Sequence, residues 1–110
     1  MLYLKKGVVI DHRTHSMMFV VMQIVDAVLG NNYGVKECWV TSGNDSVHSS
    51  KSLHYDGKAL DFRTSNWPRG KKKDIVVEIK KALGYDFDVV FESEGKPQEH
   101  CHIEYQPKVK

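Results

Sequence analysis

Two stretches of this chain hold the residue types that a hydrolytic metal centre needs: Ser52-Leu53-His54-Tyr55-Asp56-Gly57-Lys58-Ala59-Leu60-Asp61 and, further on, Glu99-His100-Cys101-His102. A catalytic zinc ion takes three protein ligands from His, Asp, Glu or Cys at roughly 2.0 to 2.3 Å and keeps its fourth position for water. His54, Asp61 and His102 would supply such a set. The water then needs a carboxylate within hydrogen-bond reach that is not consumed as a ligand, and Glu99, just ahead of His102, can serve as that base. The chemistry so assembled is metal-assisted hydrolysis with Zn2+ as cofactor.

Local geometry must bring these residues together. Asp56-Gly57 is a turn signal, so His54 can stand before the turn and Asp61 on the strand after it, with Gly57 supplying backbone freedom and the small Ala59 on the same side as Asp61. If residues 100 to 105 form a strand, His100 and His102 share one face and Cys101 turns to the other as a packing residue. His48 and His100 are candidates to hold a developing oxyanion or steady the substrate. Glu92 is a rival base to Glu99, because it ends a strand aimed at the same site and a hairpin would return it near His102. Ser52 is not read as a nucleophile, since a serine mechanism needs a free histidine and His54 is better used on metal.

The run Ser52-Leu53-His54-Tyr55 followed by Gly57, Ala59 and Asp61 is similar to the SxHxxGxAxD signature of the zinc D-alanyl-D-alanine carboxypeptidases and L-alanyl-D-glutamate peptidases. Glu99-His100-Cys101-His102 resembles that family's acidic residue shortly before its last zinc histidine. The likeness runs from about Val40 to Tyr105. It implies His54, Asp61 and His102 as zinc ligands, Glu99 as base and peptidoglycan peptides as substrate. With His48 upstream, the same signature also looks like the amino-terminal signalling domain of Hedgehog proteins, which keeps the zinc fold but acts as a ligand. An upstream arginine that holds the substrate carboxylate is common in the carboxypeptidase members, and Arg13 is the only arginine ahead of the motif. Which peptide bond is cut stays open. A peptidase of this size resembles bacteriophage lysis or virion enzymes, which implies delivery to the cell wall by that route.

The 110 residues fit a single domain, residues 1–110, expected to act as a monomer. The net charge of +2 comes from lysine clusters such as Lys71-Lys72-Lys73 and does not argue for nucleic acid. No secretory signal is visible, since Lys5 and Lys6 follow the first apolar residues instead of preceding a longer run. Met17 to Leu29 is interrupted by Gln23 and Asp26 and falls short of the roughly 20 residues that span a bilayer, so no membrane segment is expected. Cys38 and Cys101 read as free core thiols.

The framework expected to carry the site is α+β, with one mainly antiparallel sheet and two helices, a Hedgehog/D-Ala-D-Ala-peptidase-like fold. Residues 7 to 11 read as a short strand or an extended lead-in. A helix capped by Thr14 or Ser16 should bury Val20, Val21, Ile24, Val25, Val28 and Leu29 and end at Gly30-Asn31-Asn32. Strands follow at 35–41 and 58–63, and Trp67-Pro68-Arg69-Gly70 breaks the chain, with Trp67 on the rim of the core or a groove. The second helix buries Ile75, Val76, Ile79 and Leu83 and stops at Gly84. Strands at 87–92 and 100–105 then pair as a hairpin. His12 and His15 read as exposed loop residues.

Overall fold

The computed structural model describes residues 1–43 and 57–107. In chain order the elements are β1 (Leu2–Leu4), α1 (Ser16–Tyr33), β2 (Cys38–Ser42), β3 (Ala59–Arg63), α2 (Lys72–Leu83), β4 (Phe87–Glu92) and β5 (His100–Tyr105). Among the described residues these strands form one sheet in the order β1-β2-β3-β5-β4. β1 runs parallel to β2 and every other neighbouring pair is antiparallel, so the fold is α+β with a mainly antiparallel sheet.

Alternation along the strands sorts the sheet into two faces. Cys38 and Val40 of β2, Leu60 and Phe62 of β3, Phe87 and Val89 of β4, and Cys101 and Ile103 of β5 are buried and belong to one core. The helices close that core. α1 contributes Met18, Val21, Met22, Val25, Val28 and Leu29, and α2 contributes Ile75 and Ile79. The buried stripe of α1 is shifted from the expected one: Met18 and Met22 lie inside, while Val20 is 40% exposed. Methionine, unbranched and adaptable, fills the positions at helical spacing that the valine pattern left out.

The helix boundaries follow from local chemistry. His15, expected in an exposed loop, is the N-cap of α1: its Nδ1 accepts a hydrogen bond from the Met17 N–H at 3.1 Å. α1 runs past Gly30 to Tyr33 and ends on Gly34, whose φ of 67° is the left-handed conformation that terminates helices. Gly84 ends α2 as expected. Residues 7–11 form no strand. The first strand is instead Leu2–Leu4, which docks on β2 through the register Leu2↔Cys38, Tyr3↔Trp39 and Leu4↔Val40. Trp67 is 4% exposed and belongs to the core, not to a groove.

Gly57 ties the start of β3 to the entry of α1. Its carbonyl accepts from the His15 N–H at 2.7 Å, and its φ is +71°. A Cβ built there would stand 1.9 Å from the Arg13 carbonyl oxygen. Both the dihedral and the contact demand glycine, and the second of these is a backbone clash that no rotamer relieves. Gly57→Ala should therefore lower stability by roughly 2–4 kcal/mol, summing left-handed strain and overpacking, measured by denaturant unfolding. A loss below that of an ordinary surface substitution would refute this account of Gly57.

Candidate metal centre

β3 and β5 pair in the register Asp61↔His102, with Arg63↔His100 and Ala59↔Glu104 on either side. Because Leu60, Phe62, Cys101 and Ile103 face the core, these partners all face the other way. β4 extends the pattern, placing Val90 beside His102 and Glu92 beside His100. A β-bulge in β2 falls opposite Asp61: Val40 pairs with Phe62, yet Ser42 pairs with Asp61. Bulges re-aim side chains and recur beside functional sites. Here Thr41 also donates its hydroxyl to the Asp61 carbonyl at 3.4 Å.

The Asp61–His102 rung is the centre of the site. Asp61 Oδ1 lies 2.7 Å from His102 Nδ1, and Glu104 Oε1 lies 2.7 Å from His102 Nε2. His100 Nε2 stands 3.8 Å from the same Asp61 oxygen and 3.1 Å from Glu92 Oε1, while its Nδ1 bonds the Gln98 carbonyl at 2.8 Å. Burial alone would lower the His102 pKa, but hydrogen bonds and charge from Asp61 and Glu104 outweigh it and raise the value from 6.5 to about 9. Without a metal, His102 is an imidazolium between two carboxylates.

Asp61 and His102 are bonded directly to each other, and the histidine's other nitrogen is held by the Glu104 carboxylate, an outer contact of the kind that fixes ring orientation and basicity where a histidine binds zinc. Asp61 and His102 would hold the metal, and Glu104 would orient His102. Among the described residues no group of three His, Cys, Asp or Glu side chains is arranged to hold an ion. The expected third ligand, His54, and the expected oxyanion partner, His48, lie outside the described residues.

Glu99, expected as the base, is engaged by three donors. Its carboxylate accepts from the Thr64 hydroxyl, from Lys72 Nζ at 2.6 Å and from the Gly95 N–H at 2.8 Å. Burial pushes its pKa up, yet these donors and the Lys72 charge hold it down at about 2. A carboxylate so stabilised is a poor proton acceptor at neutral pH. Glu92, the rival base, shares the sheet face of Asp61 and His102 and touches the site through His100. Glu104 was missed in the sequence, although alternation from His102 would have placed it. Arg13 forms a fork on Asp11, with its Nη2 2.8 Å from Oδ2. Cys38 and Cys101 are free and buried, and burial raises both thiols to about 12.

No family model matches the chain, and no solved structure does. It is 36% identical over 72 residues to the Indian hedgehog B protein of Danio rerio, a match that covers 64% of this chain and 16% of that protein. It is 38% identical over 66 residues to the Indian hedgehog protein of Gallus gallus, covering 58% of this chain and 15% of that protein. The chain therefore spans about a sixth of the length of the curated relatives it matches.

Two measurements check the electrostatics. His102, raised to about 9, contributes stability that is full below its ordinary 6.5 and lost as pH climbs through 9. Glu99, lowered to about 2, contributes stability that is full above its ordinary 4.5 and lost as pH falls through 2. Metal-free protein should thus keep both contributions between pH 4.5 and 6.5. His102→Gln should flatten the alkaline limb of a stability–pH curve and Lys72→Met should shrink the acid limb; unchanged limbs would contradict the assigned partners. Separately, Glu104→Gln should weaken zinc binding roughly 10- to 100-fold in competition with a chromophoric chelator. Wild-type affinity in that variant would show that Glu104 does not act on His102.

Proposed function

We propose that this chain is a zinc-dependent peptidase acting on amide bonds of peptidoglycan peptides, with His54, Asp61 and His102 as the metal ligands and Glu92 as the general base. The observation that carries the reading is the Asp61–His102 rung, backed by Glu104 and flanked by His100 and Glu92 on the same sheet face. Bound zinc would supply Lewis acidity, polarising a carbonyl and bringing the pKa of water down to about 7. Glu92 accepts the proton of the attacking water and returns one to the departing amine nitrogen as the carbon–nitrogen bond breaks. His100, bonded to Gln98 and Glu92, holds that carboxylate in place. With no protein nucleophile, no covalent enzyme intermediate forms. The peptidoglycan substrate rests on the motif's likeness to the carboxypeptidase and endopeptidase family.

A second reading, a zinc-stabilised binding module without turnover, is favoured by the likeness to the two Indian hedgehog proteins. Both readings use the same ligands and differ in what Glu92 does.

The test is hydrolysis of purified cell wall with a chelator and zinc added back. Activity that returns with zinc supports the peptidase, and metal bound with no product supports the module. Glu92→Gln should keep its zinc and lose on the order of a hundred- to ten-thousandfold in turnover. Glu99→Gln, which removes a strut and not a base, should retain turnover per folded molecule. His102→Ala should lose both zinc and activity. Full activity in Glu92→Gln, or its loss in a folded Glu99→Gln, would return the base to Glu99.

A further inference from the structure

Among the described residues β4 is an outer strand of the sheet, so one row of its backbone groups has no neighbouring strand to bond. The hydrogen bonds identify that row. The Tyr105 N–H donates to the Lys58 carbonyl on the β3 side, and the Gln106 N–H donates to the Asp86 carbonyl on the β4 side. Even-numbered residues of β5 therefore turn their backbone to β4, where the register gives them Asp88, Val90 and Glu92 as partners. Phe87, Val89 and Phe91 point their N–H and C=O groups the other way, off the edge. The Phe87 N–H is taken by the Gly84 carbonyl at 3.3 Å, and among the described residues Val89 and Phe91 find no backbone partner beyond the sheet.

The side chains along this edge restrict what can add to it. Between Lys81 and Lys96 the chain holds four acids, Asp86, Asp88, Glu92 and Glu94, and no Lys or Arg. Asp88 and Glu92 share the sheet face opposite the core with Val90, which lies between them and is 45% exposed. Asp88 also stands directly opposite Glu104, and like charges so placed repel. A second copy of the chain fits this edge badly. Antiparallel pairing about Val90 would set Asp88 against Glu92, and pairing about Val89 would set Asp86 against Glu92. Pairing about Phe91 would leave only residues 90–92 in register, because the strand ends at Glu92. A strand with cations at alternate positions meets none of these obstacles: its cations fall beside Asp88 and Glu92, and the residue between them covers Val90.

We propose that the outer edge of β4 docks an extended segment of a partner protein as an added antiparallel strand, with basic side chains beside Asp88 and Glu92 and an apolar one beside Val90. Ladder bonds to Val89 and Phe91 supply the attachment, and the acids select the sequence. This docking goes beyond the peptidase reading and needs neither zinc nor turnover.

The test titrates the full chain with acetyl-Thr-Thr-Lys-Thr-Val-Thr-Lys-Thr-Thr-amide and follows its backbone amides by NMR, which registers weak binding. The Val89 and Phe91 amides should shift and exchange more slowly, and the peptide should bind roughly three- to thirtyfold tighter than an analogue with Glu in place of both Lys. Methylating the backbone nitrogens of the two threonines beside valine should abolish binding, because those residues exchange bonds with Val89 and Phe91. Asp88→Lys should weaken the lysine peptide and strengthen the glutamate one. Asp88 is chosen because Glu92 belongs to the proposed reaction, and Asp88→Asn, which should lose part of the preference, serves if the lysine variant does not fold. The proposal is overturned by no shift at Val89 and Phe91 up to millimolar peptide, by equal binding of the two peptides, or by undiminished binding of the methylated one. Slower exchange at Val89 and Phe91 on raising the concentration of the chain alone also overturns it, since the edge would then belong to a second copy.

Discussion

Because side chains alternate along a strand, the register of β3 on β5 decides at once what fills the core and what stands on the opposite face. In the observed register Leu60 and Phe62 lie opposite Ile103 and Cys101 and are almost wholly buried. Burying a Leu, Ile or Phe side chain stabilises by roughly 1.5–3 kcal/mol each. A slip of β3 by one residue would turn Phe62 to the other face and drive Asp61 into the core, away from His102, where an unpaired carboxylate costs several kcal/mol to desolvate. The apolar side therefore enforces the register, and the polar side inherits its geometry. Asp61 and His102 meet because of what their neighbours bury, and the bulge of β2 opposite Asp61 adjusts the aim afterwards.

The same logic explains what could be read from the sequence. β4 and β5 have the expected bounds, and α2 stops where Gly84 ends the pattern, because each is announced by local periodicity and a breaker. The placement of Asp61, His100 and His102 on one face followed from alternation alone. β1 was not legible: three residues carry too little pattern, and their partner β2 lies beyond the whole of α1. Residues 7–11, whose composition is β-like, read as a short strand or an extended lead-in; they form no strand and lead into the turn held by Asp11 and Thr14, whose backbones bond at 2.9 Å. The contacts of Glu99 with Thr64 and with Lys72 of α2 were not legible, because no spacing rule near His102 contains them.

The two glutamates divide along that line. Glu99 closes the connection between β4 and β5 by gathering Gly95, Thr64 and Lys72 on one carboxylate. It thereby joins the loop to the end of β3 and the first turn of α2, and its low pKa is the signature of that work. Glu92, with a side chain 46% exposed, closes nothing, and among the described residues its carboxylate touches only His100. A carboxylate spent on structure holds its proton acceptor sites occupied, whereas a base must offer one to water. Fold and the proposed chemistry would thus draw on different acids that lie seven positions apart in the chain.

What distinguishes a hydrolase from a binding module on this face is the surroundings of the rung and not the rung itself. A metal held by Asp61 and His102 would brace β3 against β5 in either case, so likeness to the Indian hedgehog proteins does not separate the two. A turnover site needs two further things: a proton acceptor beside the reacting carbonyl, and a means to fix the substrate so that the carbonyl arrives in reach. In the proposed reaction Glu92, the cross-strand neighbour of His100 on β4, would be the first of these. His100 belongs to the rung next to Asp61 and His102, and its contact with Glu92 would set how that acid stands toward them.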